Sequence, residues 1–500
     1  MQKKAPTPTT KWARCALLPI FVWSCVPERS TPTPPVRDDA APRETSMEYD
    51  ATPQQVDAAR LLAPDAAPPS LREAGTFDAR VSLATDAALG APTRIARDAF
   101  AVVYAPPPHP VGNVYTDAKA LLGKALFWDE QLSADGSVAC GTCHTPEAGG
   151  SDPRPARAGF TGHPGADSKI GTSDDPHGSP GIRRCRQLPD GGLVYVVSPV
   201  FAEQQQVTRR RSMSVADAAF WSSLFWDGRS ADMLIDPISQ AVAMKSGAAL
   251  EVQALLPLLN VEEMACEGTD WAMFTARLAH RKPLALAHDL PSDLLAFVSA
   301  ESDYAALFEL VFGTKEITPV QIAQAIATYE RTLVSDRTAW DRWRAGDDSA
   351  LSDQQLHGLT LFATRAGCAC CHAPPVFGVM AFANEGFTET SWDRGREEVT
   401  AAPTQRGAFR AVSLRNVGLR EPGGLLHDGI GAGADLPTLL AAYNREPLVP
   451  SSIGLCVRHG VNLSQQELDA IVAFLRTGLT DPRAAAGLPP FDHPALSAPM

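Results

Sequence analysis

Two five-residue segments, CGTCH at Cys140–His144 and CACCH at Cys368–His372, set the strictest limit on what this chain folds into. Each confines two thiols and an imidazole to a single short turn of backbone. With 10 Cys and 11 His in 500 residues, random placement yields about 0.004 such matches, so chance is not the explanation. The likeness extends upstream, since GKALF ends at Phe127 and GLTLF ends at Phe362, each with Gly four positions before Phe. Phe127 precedes Cys140 by 13 residues and Phe362 precedes Cys368 by 6, so two copies of one unit differ by an insertion of seven residues.

Three chemistries begin from Cys-x-x-Cys: a zinc site, a redox dithiol and a covalently attached haem. One four-cysteine zinc site built from Cys140, Cys143, Cys368 and Cys371 uses all four thiols but leaves the adjacent histidines without a purpose. Haem c uses every element, because two thiols a helical turn apart reach the two vinyl groups and the next imidazole lies beneath the iron. The expected attachment points are therefore Cys140 and Cys143 with His144, and Cys368 and Cys371 with His372. This register leaves Cys370 over. Cys370, Cys185, Cys266 and Cys456 are candidates for disulfides in an oxidising compartment, with the connectivity open. Each haem with one histidine keeps one iron face to be decided: a closed face favours electron transfer and an open one permits chemistry.

The flanks bear on compartment and partners. Lys3, Lys4, Lys11 and Arg14 precede a short apolar run, Cys15 to Trp23, which reads as a signal peptide and is too brief to span a bilayer. The run ends VWSC, similar to a lipoprotein box, so Cys25 is a candidate lipid anchor beside ordinary cleavage nearby. The Pro-rich stretch that follows lacks apolar periodicity and reads as a tether. A formal charge of −13 disfavours nucleic acid as a partner and favours a cationic protein. Capping boxes at Ser352-x-x-Gln355, Thr318-Pro319-x-Gln321 and Ser464-x-x-Glu467 predict helices, and Ile322, Ile326, Tyr329 and Leu333 share one helical face. Gly149 to Gly181 reads as a long loop, solvated in preference to binding calcium through Asp167, Asp174 and Asp175.

Across Pro110 to about Pro482 the chain resembles the bacterial di-haem cytochrome c peroxidase family, including its MauG-like branch. The resemblance is carried by LGKALFWDEQLS, LFWDGR (Leu224–Arg229), Gln253-x-x-x-Pro257 followed by EEM (Glu262–Met264), DRGR (Asp393–Arg396), SLRNV (Ser413–Val417) and HDG (His427–Gly429). It implies that the His144 haem meets peroxide and the His372 haem stores electrons. It further implies that Glu263 is the acid–base group, Gln253 a hydrogen-bonding partner of the peroxide, Pro257 a wall and Trp226 the indole between the haems. Arg229 is open between a haem propionate and an ion pair with Asp227 or another acid.

Departures from the family pattern sharpen these expectations. No methionine follows His372 except Met380 and Met500, and alignment of AAYNR puts Tyr443 at the sixth-ligand position of the second haem. Arg211 stands where the family often supplies an Asn to an inter-haem calcium. Either the cation is held by carbonyls and water, or the guanidinium supplies the charge itself; the second is preferred, so calcium is a doubtful cofactor. Glu203 stands where reductively activated members place a displaceable histidine, so the first haem is expected to be five-coordinate or water-bound at rest. Between Arg229 and Gln253 lies a stretch about 17 residues longer than the common spacing.

The expected fold is mainly α: two cytochrome c-like haem domains with long loops, the site closed by the FWDGR to EEM segment. The expected segments are a signal peptide over 1–25, an extension over 26–105, a peroxidatic domain over 106–335, an electron-transfer domain over 336–485 and a tail over 486–500. The expected function is peroxide reduction with electrons from a soluble donor such as a small cytochrome c or copper protein. A MauG-like oxidant of a protein or organic substrate and a non-catalytic di-haem carrier are the rivals. The expected location is periplasmic, or exported and membrane-anchored.

Overall fold

The computed structural model describes residues 95–97, 105–387, 392–447, 456–457 and 459–497. The signal peptide, Cys25 and nearly all of the extension lie outside these residues. No helix among those described is long and apolar enough to cross a membrane.

The described fold is mainly helical. Its longer helices are α1 (Asp117–Phe127), α2 (Ala249–Leu255), α3 (Trp271–Ala279), α4 (Ser292–Val298), α5 (Tyr304–Phe312), α6 (Pro319–Glu330), α7 (Ala339–Arg344), α8 (Asp353–Ala363), α9 (Leu436–Tyr443) and α10 (Gln465–Ala473). Thr318, Ser352 and Ser464 each close the reciprocal capping box that the sequence predicts. Ile322, Ile326, Tyr329 and Leu333 are all buried.

Among the described residues two large hydrophobic cores stand beside a small third cluster of Ala218, Trp221, Leu224, Ala249, Leu250 and Ala327. One gathers α1 to α6, including Leu122, Phe127, Trp128, Phe274 and Ile326; the other gathers α7 to α10, including Trp340, Phe362, Phe377 and Phe474. The repeated Gly-x-x-x-Phe explains how each core is framed. A Cβ on Gly123 would lie 1.9 Å from the Ala325 carbonyl oxygen of α6, and one on Gly358 would lie 2.0 Å from that of Ala470 in α10. Glycine therefore permits backbone contact between the paired helices in both halves. Four residues on, Phe127 and Phe362 are each 1% exposed and line the cavity beside their own Cys-x-x-Cys-His turn.

Among the described residues sheet is confined to four two-stranded antiparallel ribbons: β1 (Pro180–Arg183) with β4 (Gln205–Val207), β2 (Cys185–Gln187) with β3 (Leu193–Tyr195), β5 (Leu234–Ile235) with β6 (Val242–Met244), and β7 (Phe382–Ala383) with β8 (Phe409–Arg410). The β5–β6 hairpin lies between Arg229 and Gln253, and none of its residues lines the first cavity. Asp167, Asp174 and Asp175 bring one oxygen each within 4.8 Å of one another. The same carboxylates already accept from the Thr172 hydroxyl and from the N–H groups of Asp167 and Gly171.

The two halves are sewn together by buried ion pairs from the motifs. Arg210 grips Asp393 of DRGR through two bonds of 2.8 and 2.7 Å and also pairs with Asp227 of FWDGR. Within the second half, Arg415 of SLRNV pairs with Asp341 of α7 through two bonds of 2.7 Å. Such forked pairs fix orientation as well as charge. The tail returns to the first half, where Asp492 meets Lys124 at 2.9 Å and Ser497 bonds Glu130.

Candidate functional site

Each Cys-x-x-Cys-His turn opens onto its own cavity. Cys140, Cys143 and His144 line one of about 380 Å³; Cys368, Cys371 and His372 line another of about 170 Å³. The four thiols are thus divided between two cavities, which excludes a single four-cysteine zinc centre. They are the free cysteines of the described chain, whereas Cys185 pairs with Cys266 and the surplus Cys370 pairs with Cys456.

Both imidazoles are oriented by backbone. His144 Nδ1 lies 3.2 Å from the Gly150 carbonyl, and His372 Nδ1 lies 3.0 Å from that of Val412 and 3.2 Å from that of Phe377. With Nδ1–H donating, Nε2 keeps its lone pair, the arrangement that a ligating histidine requires. Burial lowers the pKa of both and pushes His372 down to about 4, so both rings are neutral at ordinary pH.

The wall shared by the cavities is built from Arg211–Ser214, Trp226 and Arg410. Trp226 donates from Nε1 to the Arg211 carbonyl at 2.8 Å and meets His427 edge to face. Arg410 is buried, its Nε has no partner, and among the described residues no carboxylate is ion-paired with it. Burial pushes it down to about 9, so it is still a cation at neutral pH. An unpaired buried charge costs several kcal/mol, so this position calls for an anionic group entering the cavities. A haem carries two propionates, and the Cys-x-x-Cys-His donor sets together with this guanidinium, which donates to the Ser223 carbonyl at 3.0 Å, suit it. Arg229 takes the other course left open by the sequence and pairs with Asp227 at 3.1 Å.

The structure brings Gln253, Pro257 and Glu263 into the cavity that His144 lines. Gln253 rides on α2, which is clamped by the buried Glu251–Arg331 pair at 2.7 Å. Glu263 sits in a turn whose N–H groups at 263, 264 and 265 all donate to the Asn260 carbonyl. This turn is braced by Ile182 N–H on the Glu263 carbonyl at 3.0 Å and by the Cys185–Cys266 disulfide. Asn260 Nδ2 donates to Glu263 Oε1 at 2.7 Å. Burial and the neighbouring Glu262 push Glu263 up to about 7 against the pull of Arg229 and Asn260. A carboxyl poised there both takes and returns a proton at neutral pH. His144 is the histidine of this cavity's lining, while Glu203 is exposed and His163 and His177 lie elsewhere.

The second cavity is more apolar. Tyr443, at the end of α9, lines it together with His372 and donates to the buried carboxylate of Glu385. Arg211, buried at the shared wall, donates to the carbonyls of Gly423 and Arg420. Asn260, Arg410, Glu385 and Glu330 were not among the residues singled out from the sequence. Glu330 lines the first cavity, has an unpartnered Oε2, and is pushed up to about 8 by burial. Only Asn260, three residues from Glu263, had a local signal.

Two half-cavities of this construction, with one proximal imidazole each, define a di-haem oxidoreductase. The model of the di-haem cytochrome c peroxidase family matches residues 117–349. MauG, the methylamine utilization protein of Methylorubrum extorquens, is 31% identical over 380 residues, covering 75% of this chain and 82% of that one. Cytochrome c551 peroxidase of Nitrosomonas europaea is 27% identical over 362 residues, covering 72% and 79%. Among solved structures, a MauG-like protein associated with microbial copper homeostasis has a TM-score of 0.52 at 22% identity, over 79% of this chain and 97% of that one, a likeness of fold. The chain belongs to the di-haem cytochrome c peroxidase family that includes MauG.

Proposed function

We propose that this protein reduces hydrogen peroxide in the His144 cavity with electrons relayed from the His372 side. Cys140 and Cys143 would hold one haem c by thioether bonds and Cys368 and Cys371 the other, with His144 and His372 as proximal ligands. Bound there, the haems supply iron that accepts peroxide and exchanges single electrons. The observation that carries the reading is Glu263, poised near neutrality across the same cavity as a neutral, carbonyl-oriented His144.

Glu263 takes a proton from one peroxide oxygen and returns it to the other, which leaves as water. Asn260 holds the carboxyl in place, Gln253 orients the peroxide by hydrogen bonding, and Pro257 narrows the cavity. Among the described residues His144 is the one imidazole lining the cavity, so the first site would need no prior reduction to open. Trp226, in the shared wall, shortens the electron path. Arg410 would offer its charge to a haem propionate. Tyr443 would close the second site as an oxygen ligand. Arg211 supplies the positive charge between the halves in place of calcium, resting on its bonds to the Gly423 and Arg420 carbonyls. The signal peptide reading supports export, with a small cytochrome or copper protein as donor.

Tyr443 together with the histidine-poor first cavity favours a second reading, a MauG-like oxidant drawing electrons from a protein or organic substrate. Glu263→Gln separates enzyme from carrier. Loss of peroxide turnover with both haem spectra intact supports catalysis; an inactive parent protein supports the carrier.

A further inference from the structure

Away from the assigned residues, the first half contains an aromatic chain that runs from the haem turn to the surface. Trp128 is 1% exposed. It lies flat against Gly141, between the two attachment cysteines, where a Cβ would come within 2.2 Å of its Cε3. Its Nε1 donates to the buried Tyr329 hydroxyl at 3.0 Å. Tyr329 meets Phe127 edge to face at 5.3 Å, and Phe127 lies 6.4 Å from the His144 ring. On its other face Trp128 stacks on His493 of the tail at 4.0 Å and 6°. His493 Nε2 then lies 3.2 Å from both carboxylate oxygens of Glu147, with side-chain exposure rising to 21% at His493 and 41% at Glu147.

A core tryptophan needs apolar neighbours and one acceptor. This one has a second oxidisable ring as its acceptor and a polar ring stacked outward of it. The tail is held in that stack by Lys124–Asp492 and Ser497–Glu130. We propose that Trp128 is a redox-active side chain that drains oxidising equivalents from the His144 site when the second half has no electron to give. Trp128 loses one electron to the oxidised first site, which is reduced by one. The indole proton stays on Nε1, held toward Tyr329. The vacancy is refilled through the His493–Glu147 edge by a small one-electron donor, a phenol or ascorbate, which gives its own proton to solvent. The inference rests on the peroxidatic reading, because peroxide supplies the oxidation.

Rapid-freeze electron paramagnetic resonance of the fully oxidised holoprotein after one equivalent of peroxide tests it. The expected result is a radical narrowed by ring-deuterated tryptophan, absent in Trp128→Phe with haem absorbance retained, and altered in Tyr329→Phe. In His493→Ala its quenching by ascorbate should slow several-fold. If Trp128→Phe fails to mature, the Tyr329 and His493 variants decide. A radical unchanged in those variants, or none while peroxide is consumed, overturns the relay alone. A parent protein that consumes no peroxide overturns the peroxidatic reading and the relay with it.

Discussion

The two halves of this molecule share a frame and differ in what faces it. In both, a glycine brings two helices into backbone contact, a phenylalanine four residues later lines a cavity, and a histidine is turned toward that cavity by a carbonyl on Nδ1. Across the first cavity stand Glu263, Gln253 and Asn260; across the second stands Tyr443, bonded to Glu385. One scaffold thus gives two unlike sites: on the proposed reading the Cys-x-x-Cys-His turn would hold the iron and the remaining lining would decide what reaches it.

The largest effect that would break this comparison is on the reacting wall. Glu263→Gln should lower peroxide kcat by ~10²–10⁴ and leave the His372 haem spectrum unchanged, as steady-state turnover and optical spectra will show. In the parent protein kcat/KM should rise as pH increases through about 7, as Glu263 loses its proton and becomes the base; the rising limb should vanish in the variant. On the other wall, Tyr443→Met should raise the second haem's potential by ~100 mV or more, since a thioether would replace the harder phenol oxygen proposed as ligand. Spectroelectrochemistry should find the first haem little moved.

Smaller effects sharpen the shared part. Gly123→Ala and Gly358→Ala should each destabilise by ~2–3 kcal/mol, because an added methyl meets backbone and not a flexible side chain. Similar losses in denaturant unfolding would support a true structural repeat. Smallest of all, Arg410→Gln should lower both haem potentials by about 50 mV, because the cation lies in the common wall. A shift at one haem alone would assign Arg410 to that cavity.

Much of this was legible in the sequence for local reasons. Capping boxes and the paired Cys-x-x-Cys-His turns act within a few residues, and the described structure contains the three helices; Gln253, Pro257 and Glu263 were indicated by the family resemblance, and the structure brings them into one cavity. Cys370 was recognisable as surplus, but its pairing with Cys456 spans 86 residues and has no local signature. Arg410 could not be found from its neighbours, since its meaning lies in the acid it lacks. The role of the tail was hidden for the same reason: His493 reaches Trp128 only once both halves are folded.

The central claim is that the His144 site has an open face and the His372 site a closed one. Electron paramagnetic resonance of the ferric holoprotein, with and without azide, tests it most directly. One high-spin and one low-spin haem in equal amounts are expected, with azide converting only the high-spin signal. Two low-spin haems that ignore azide, or a matured protein without haem absorbance, would contradict it.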